Sequence, residues 1–237
     1  MAETTIQTLF DAGAHFGFSR ARRHPTAAPY LFGTKDRTDI FDLEETGRRL
    51  AAAIEFVGSV AQKGSHVLFV SGKHEAIAFV KEAAERVGAP YVAGRWIGGT
   101  LTNFKNIRKR IDRLEKLMSE RESGELGKYT KRERLLIDRE IDELLHRFGG
   151  LVKMANLPAA LFVVDSRHES TAVKEAKQLG IPVVGLASSD CNFSLVTYPV
   201  PGNDTSIRSI KLVVEEIAEA YAKGKRAHVP AAAKDSA

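Results

Sequence analysis

The residues that could carry out chemistry in this chain are few and lie far apart. Asp165, His168 and Glu169 follow a short apolar run, and carboxylates beside an imidazole at the end of a strand are what α/β enzymes use for acid–base catalysis. The simpler interpretation is that Asp165 or Ser166 caps the following helix by accepting its free N–H groups. The seven histidines lack metal-ligand spacing, and Cys191 has no neighbour in the sequence that would activate it as a nucleophile. We therefore predict no catalytic residue and no dedicated metal site.

Gly72-Lys73 is a second candidate, because it stands where an apolar run meets a helical pattern, the position that phosphate-binding loops occupy. The G-x-x-x-x-G-K-[ST] loop does not fit, since His74 follows the lysine and the earlier glycine is missing; a G-x-G-x-x-G run is missing too. We therefore expect no nucleotide cofactor. Asp190 and Asp204 lie in turn sequences, and their carboxylates are the ligands that a structural magnesium ion would use.

The run from Arg95 to Asn103, with the sequence RWIGGTLTN, is the strongest signal for binding. Arg95 offers a guanidinium fork to phosphates, Trp96 offers a stacking face, and the two adjacent glycines allow close approach of the backbone. The alternative for Trp96 is burial as an anchor beside the turn, which is common for a lone tryptophan. The run therefore predicts a binding site without catalytic residues.

Basic and aromatic residues alternate in the segment from His15 to Arg37, which holds five Lys and Arg against one Asp. Single-stranded RNA favours this pattern, because planar side chains stack on splayed bases while cations meet phosphates. Phe16, Tyr30 and Phe32 are expected to pack on a sheet edge instead, which leaves the arginines as the RNA candidates.

Composition sets the broad class. A chain of 237 residues with 43% hydrophobic composition can bury the core of one large α/β domain, with or without an insertion. The single cysteine excludes an internal disulfide, and no leader or bilayer-spanning run is visible, so we expect a cytosolic protein with no membrane partner. The net charge of +5 is uneven, with thirteen Lys and Arg against ten Asp and Glu over residues 101–150 and four against one over residues 223–237. An acidic scaffold with basic extensions suits docking on RNA.

Strand and helix patterns alternate along the chain. The predicted strands are 66–71, 90–93, 160–165 and 182–187, and the predicted helices are 43–62, 74–87, 169–179 and 207–221. This alternation predicts a parallel sheet with helices on its faces, joined by right-handed crossovers. Asp204 is expected to cap the last helix. The fold class is therefore an α/β, flavodoxin-like or Rossmann-like domain of three layers.

The alternation breaks between Asn103 and Gly150, where two helical apolar seams replace it. The seams, separated by a connector over residues 123–130, are Phe104, Ile107, Ile111, Leu114 and Met118, then Ile137, Ile141, Leu144 and Phe148. Two antiparallel helices can bury these seams against each other, although their charged faces are also compatible with a solvated surface of intrahelical ion pairs. We predict a projecting coiled-coil hairpin over residues 103–149, inserted into an α/β domain formed by residues 1–102 and 150–222. Residues 223–237 are expected to form a basic, disordered tail.

Four separated stretches resemble the bacterial ribosomal protein S2 family. They are His15-Phe16-Gly17 with Arg22-Arg23 and residues 29–33, the run over residues 95–103, Leu157-Pro158 with residues 161–165, and residues 181–184 with Pro201-Gly202-Asn203-Asp204. The resemblance covers nearly the whole chain in order and spacing, and it implies a non-catalytic ribonucleoprotein component of the small ribosomal subunit, active in translation and located in the cytoplasm. It implies contacts with small-subunit ribosomal RNA, with neighbouring ribosomal proteins and, in some bacteria, with ribosomal protein S1. Phe18 and His24 depart from the family pattern, which often has histidine and tryptophan in these places.

The expected RNA-binding residues surround the glycine turn and the loops beside it. They are Arg20, Arg22, Arg23, His24, Arg95, Trp96, Asn103, Lys105, Arg108 and Lys109. Two other classes remain open at this point. One is an α/β enzyme that binds a phosphorylated small molecule near Gly72-Lys73 and Asp165, and the other is a free regulatory RNA-binding protein.

Overall fold

A computed structural model describes residues 5–228 as two sheets flanked by helices. In chain order the helices and strands are α1 Ile6–Asp11, β1 Phe16–Ser19, β2 Leu31–Lys35, β3 Thr38–Phe41, α2 Leu43–Gln62, β4 Val67–Ser71, α3 His74–Val87, β5 Tyr91–Ala93, α4 Phe104–Glu122, α5 Lys131–Phe148, β6 Ala160–Val164, α6 Ser170–Gln178, β7 Val183–Ala187, β8 Tyr198–Pro201 and α7 Ile207–Ala227. Short 3-10 helices lie at Arg20–Arg22, Pro25–Tyr30, Glu125–Lys128, Gly149–Leu151 and Phe193–Leu195. The strands β1 to β3 form an antiparallel sheet in the order β1-β3-β2, which the sequence analysis did not predict.

The central sheet is parallel, with the strand order β5-β4-β6-β7-β8. Its strands alternate between two apolar clusters: Val67 and Phe69 face a cluster that includes α2, α3 and α7, whereas Leu68 and Val70 face a cluster that includes α4, α5 and α6. Strands buried on both faces consist of continuous apolar residues, as β4, β6 and β7 do. The predicted α/β class and the parallel sheet are confirmed, and the helices do cover both faces of the sheet.

The strand order determines where side chains meet. The chain passes from β4 outward to β5 and then crosses back to β6 on the other side of β4, so the order reverses between β4 and β6. Ligands of open α/β sheets bind at the carboxyl ends of strands beside such a reversal. Lys73 and Asp165, which follow β4 and β6, are therefore brought together although 92 positions separate them.

The helices α4 and α5 carry the two predicted seams. Ile107, Ile111, Leu114 and Leu117 are buried on α4, and Ile141, Leu144 and Phe148 are buried on α5; Phe104, Met118 and Ile137 are partly buried. A capping box starts α5, since Thr130 Oγ1 accepts from the Glu133 N–H while the Glu133 carboxylate accepts from the Thr130 N–H. The pair shares one apolar cluster with the sheet face. The coiled-coil character of this pair and the division of the chain into two domains stay predictions.

The last helix differs from the prediction at both ends. Asp204 does not cap it; the Asn203 side chain accepts from the N–H groups of Thr205 and Ser206 at 2.9 and 3.1 Å, while Asp204 is fully buried. The helix also continues to Ala227, because Gly224 meets the backbone of α2 with no space for a Cβ atom. The prediction of disorder from residue 223 is therefore wrong for the first residues of the tail, and its residues 229–237 lie outside the described part.

The strand β8 was missed because it contains two prolines, which remove backbone donors. β8 lies at the edge of the central sheet, next to β7, where a strand needs hydrogen bonds on one side only. Within residues 5–228, none of the helices combines the length and the apolar composition that crossing a bilayer requires.

Candidate nucleic-acid interface

A buried ion cluster lies at the carboxyl ends of β4, β6 and β8. Lys73 Nζ lies 3.1 Å from Asp165 Oδ2, with hydrogen-bond geometry, and 3.1 Å from Asp204 Oδ1, as an ion pair. Burial opposes the charge on Lys73, but the two carboxylates outweigh it and raise the pKa of its ammonium group. The Lys73 ammonium group thus lies between the side chains of Asp165 and Asp204, and these internal partners already neutralise its charge.

The two carboxylates of this cluster differ in their hydrogen bonds. Asp165 accepts from the N–H groups of Arg167 and His168 at 3.1 and 2.9 Å; burial opposes its charge, but these donors and Lys73 together lower the pKa of Asp165. Within residues 5–228 no backbone N–H donates to Asp204, whose Oδ1 pairs with Lys73 Nζ at 3.1 Å, and burial with the nearby Asp165 charge raises the pKa of Asp204 to about 7. The expected capping of the next helix is not observed: Asp165 bonds within the turn before α6, and Glu169, the N-cap residue of α6, makes no capping hydrogen bond with its side chain.

These groups were also the candidates for metal binding. Ligand atoms of Asp165, Cys191 and Asp204 lie within 4.8 Å of one another, but Lys73 already places a cation between the two carboxylates. Burial raises the pKa of the Cys191 thiol to about 12, so the thiol is protonated at neutral pH, whereas a metal ligand must be a thiolate. A cation would have to displace Lys73, so this donor set fits a magnesium ion poorly. The expected magnesium ion near Asp190 or Asp204 stays a prediction.

The strand-to-helix junction after β4 leaves no room for a phosphate. The Gly72 N–H donates to Glu169 Oε1 at 2.7 Å, and a Cβ atom on Gly72 would lie 2.8 Å from the Gly94 carbonyl oxygen. A phosphate-binding loop needs free N–H groups and a free lysine, and here the Gly72 N–H and the Lys73 ammonium are already bonded within the protein. This geometry disfavours the enzyme alternative based on Gly72-Lys73.

The arginines of the first basic loop bind acidic side chains of the protein itself. Arg23 forms a bidentate pair with Asp39, with Nε 2.8 Å from Oδ2 and Nη2 in contact with Oδ1, and Asp39 is fully buried. This pairing lowers the pKa of Asp39. Arg22 Nη2 lies 3.3 Å from Asp190 Oδ2, and its guanidinium stacks over Phe18 at 4.3 Å from the ring centre. Both arginines therefore order the loop, and only Arg22 keeps a half-exposed side chain.

The other two candidates in this loop are Arg20 and His24. In the described part of the chain, one side chain has no partner and the other forms a hydrogen bond. The Arg20 side chain is exposed and makes no hydrogen bond or ion pair within residues 5–228. His24 Nδ1 accepts from the Thr26 N–H at 3.3 Å and begins the 3-10 helix Pro25–Tyr30. Arg20 is thus the candidate of this loop whose charge is available.

The expectation that three aromatic residues pack on a sheet edge is correct for Tyr30 only. Tyr30 stacks on Phe193 with ring centres 4.6 Å apart. Phe32 is 82% exposed and Phe16 is 48% exposed. Phe16 and Phe32 lie in β1 and β2 of the small antiparallel sheet, and their exposure shows that the packing prediction was wrong for both.

The glycine turn is built around a carboxylate that the sequence analysis did not single out. Glu175 of α6 is buried and accepts five hydrogen bonds, from Trp96 Nε1, Gly99 N, Leu101 N and both the N–H and the hydroxyl of Thr102, at 2.8 to 3.1 Å. Burial opposes the charge on Glu175, but the donors together lower the pKa of this carboxyl group. Trp96 is 9% exposed, so the anchor interpretation of this residue is the one that the structure supports. An acidic residue between the apolar positions Val173 and Ala176 was the available signal for Glu175.

The exposed side of the same turn carries free donors. The Arg95 side chain is exposed and makes no hydrogen bond or ion pair within residues 5–228, and the same holds for Lys105 and Lys109 on the first turns of α4. Arg108 is engaged, because it binds Asp112 and Glu115 at 2.8 Å each and donates to the carbonyl of Val152. Asn103 accepts from the Asn106 side chain at 2.9 Å beside the start of α4.

The ten predicted residues thus fall into two groups. Free cations are Arg20, Arg95, Lys105 and Lys109, and side chains engaged within the protein are Arg22, Arg23, His24, Trp96, Asn103 and Arg108. Three of the four free cations follow β5 in sequence, on the glycine turn and the start of α4. The arrangement offers exposed positive charge on an ordered backbone and fits an extended polyanion better than a small substrate.

Comparisons with known proteins all match this chain to one family. The family described as Ribosomal protein S2 matches residues 9–224. The chain is 42% identical to the small ribosomal subunit protein uS2 of Syntrophobacter fumaroxidans over 226 residues, which is 95% of this chain and 82% of that protein. It is 41% identical to the uS2 protein of Coprothermobacter proteolyticus over 95% of this chain and 84% of that protein, and 40% identical to the uS2c protein of Rhodomonas salina over 100% and 97%.

Proposed function

This chain belongs to the ribosomal protein S2 family, and from that premise we propose that it is a structural, non-catalytic constituent of the small ribosomal subunit, acting in translation in the cytoplasm. In this proposal the protein binds the small-subunit ribosomal RNA and neighbouring ribosomal proteins. The observation that carries the RNA part is the group of exposed, unpaired cations at Arg95, Lys105 and Lys109. Cations that are free inside the protein are the ones that can neutralise phosphates without first breaking an internal ion pair.

The helices α4 and α5 extend this surface. Exposed arginines and lysines alternate with exposed acidic residues on the outward faces of both helices, while the apolar seams hold the helices together. We expect the pair to act as a coiled-coil hairpin inserted into the α/β domain and to carry part of the RNA contact. Neighbouring ribosomal proteins, with ribosomal protein S1 among them in bacteria that use it, are expected to meet the globular part, where Phe16 and Phe32 offer exposed apolar area.

Reconstitution into small subunits tests the RNA part of this proposal. The triple variant Arg95→Ala/Lys105→Ala/Lys109→Ala removes three free cations, and each lost phosphate contact lowers the salt slope of log affinity by about one. Co-sedimentation of the tagged full chain with small subunits that lack this protein, across a series of salt concentrations, measures both affinity and slope. We expect weaker incorporation and a flatter salt dependence.

The matched control removes the same charge from other surfaces. Lys63→Ala/Lys174→Ala/Lys177→Ala changes three exposed lysines that lie outside the glycine turn and α4. Incorporation of this control should equal that of the wild type. Equal incorporation of both triple variants, with the same salt slope, would contradict the RNA surface, and a wild-type chain that never migrates with small subunits would contradict the ribosomal role.

Thermal stabilisation separates this function from the enzyme alternative. A protein that binds a phosphorylated metabolite is stabilised by that ligand according to its concentration relative to Kd. We expect millimolar sugar phosphates, which carry no base, to leave the melting temperature of the protein unchanged, because Lys73 is already paired with Asp165 and Asp204.

A further inference from the structure

A cavity of about 590 Å³ lies where the end of β5 meets the glycine turn and the last turn of α5. Its walls are formed by β5, by residues 94–98 of the turn, by residues 145–147 and Gly150 at the end of α5, and by Lys81 of α3. Small-ligand sites in proteins span about 300 to 1,000 Å³, so a space of this size admits one nucleotide and excludes a double helix.

The charged side chains that line this cavity are basic. Its thirteen lining residues include Lys81, Arg95, Arg147 and His146, and none of them is acidic. Lys81 and Arg95 make no hydrogen bond or ion pair within residues 5–228, whereas Arg147 pairs with Glu143 at 2.8 Å. The lining therefore favours an anionic ligand. Lys81 and Arg95 can bind such a ligand without first breaking an ion pair within the protein.

The backbone of the turn supplies a second, independent set of donors. The N–H groups of Arg95, Trp96, Ile97 and Gly98 donate to no acceptor in the described part of the chain, although the following N–H of Gly99 donates to Glu175. Successive free N–H groups in a concave turn are a common means of binding anions. Glu175 holds the opposite side of the turn, so this row of donors is ordered before any ligand arrives.

The remaining lining residues include apolar side chains. Val92, Trp96, Ile97 and Leu145 line the cavity and belong to, or pack against, the apolar cluster on this face of the sheet. Gly98 leaves open space, since a Cβ atom there would have no neighbour within 4 Å. A ligand that satisfies both kinds of wall carries a phosphate and an apolar planar group together.

From these observations we infer that the cavity is a receptor for one unstacked nucleotide of RNA, with its phosphate at Arg95 and the free N–H groups and its base against the apolar wall. The inference rests on the proposed function and adds to it that this part of the surface reads a single-stranded, splayed nucleotide. Specific RNA recognition by proteins commonly targets such unpaired bases.

The fluorescence of Trp96 tests the inference directly, because it is the only tryptophan in the chain and it lines the cavity. The probes are a single-stranded hexauridylate and hexaadenylate, a blunt RNA duplex, uridine and adenosine monophosphates, inorganic phosphate and a decaglutamate peptide. We expect the single strands and at least one monophosphate to change the Trp96 emission, and the duplex, phosphate and peptide to leave it unchanged.

Two variants and one control complete the test. Gly98→Leu adds a bulky side chain to a residue that lines the cavity, where a Cβ atom would meet no neighbour within 4 Å, and Arg95→Ala removes the guanidinium of another lining residue. Each is expected to weaken single-strand binding about tenfold, within the range for loss of one base–protein contact. Gly33→Leu is the matched control, since Gly33 also has no neighbour within 4 Å of a Cβ atom but lies in β2, away from the cavity.

Anisotropy of the labelled RNA, measured in parallel, separates the two levels of the proposal. If RNA binds the wild type and Gly98→Leu with equal affinity and does not change the Trp96 emission, the nucleotide receptor is overturned. The RNA-binding surface would still stand in that case. A full response to inorganic phosphate alone, or to the peptide, also overturns it, in favour of an anion site or a protein partner. Failure of every RNA to bind, together with failure to join small subunits, overturns the proposed function itself.

Discussion

Two basic regions of this protein use their charge in opposite ways. In the loop from Arg20 to His24, Arg22 and Arg23 are paired with Asp190 and Asp39, so most of the charge stabilises the loop. In the turn that begins at Arg95, a buried glutamate binds the inner donors, and the outer cation and N–H groups stay free. The number of arginines in a segment therefore says little about its capacity to bind RNA; what matters is whether acidic partners reach those arginines in the fold.

The largest effect is expected where the glycine turn is anchored. Glu175→Ala removes the acceptor of five hydrogen bonds and leaves several buried donors unsatisfied, so the free energy of unfolding should fall by about 5 kcal/mol. Denaturant unfolding with Trp96 fluorescence measures this change, and the emission should shift to longer wavelength as the indole loses its partner. Lys174→Ala on the same helix is exposed and should stay within about 0.5 kcal/mol of the wild type. A change of less than about 1 kcal/mol in the free energy of unfolding of Glu175→Ala would contradict the anchoring of the glycine turn by Glu175.

The first basic loop provides the next comparison. Arg23→Ala leaves the fully buried Asp39 without its partner and should lower the free energy of unfolding by about 3 kcal/mol. Arg22→Ala should cost less than about 1 kcal/mol, because Asp190 keeps its bond to Arg167 at 2.6 Å. Urea unfolding of both variants checks the difference. Equal effects of the two substitutions would show that the ion pairs do not distinguish these arginines.

A pH effect is expected from the buried cluster under the first loop. The folded pKa of Asp204, about 7, lies above its ordinary value, so its contribution to stability is present at acidic pH and is lost as the pH rises through 7. The groups around it are Lys73, Asp165, Asp190 and Cys191; Asp165 acts in the opposite sense, but only below the ordinary carboxyl range. Denaturant unfolding between pH 5 and pH 8, above that range, should show stability falling with pH in the wild type and a flatter profile in Asp204→Asn. Identical slopes would show that Asp204 does not retain its proton.

The smallest effect concerns Cys191, which is fully buried beside the same cluster. Burial and the nearby Asp165 charge raise the pKa of its thiol to about 12, so little thiolate exists at pH 8. Iodoacetamide should alkylate Cys191 slowly in the folded protein and rapidly in denaturant, as mass spectrometry measures. Rapid labelling without denaturant would mean that the loop from Arg20 to His24 opens in the folded protein. It would contradict the pairing of Arg22 and Arg23 with Asp190 and Asp39.

Much of the fold was predictable because its determinants are local. The helices α2 and α3 begin and end at the predicted residues, and the strands β4 to β7 start within one residue of their predicted positions, since continuous apolar runs and helical periods are written in neighbouring residues. The antiparallel sheet of β1 to β3 and the edge strand β8 were not predictable in the same way. These strands have only four or five residues, and β1, β2 and β8 contain glycine or proline, so their apolar patterns are weak.

The site was predictable in position and only partly in role. The sequence alone determined that an α/β protein of the ribosomal S2 type carries basic residues around a glycine turn, because residue types, spacing and periodicity are properties of the chain itself. Only the tertiary structure decided which of those cations are free, since Arg23 of the loop meets Asp39 of β3 and Glu175 reaches the turn from 73 or more positions away. Ion pairs and buried acceptors depend on distances of a few ångströms, and those distances are set by the packing of the whole chain.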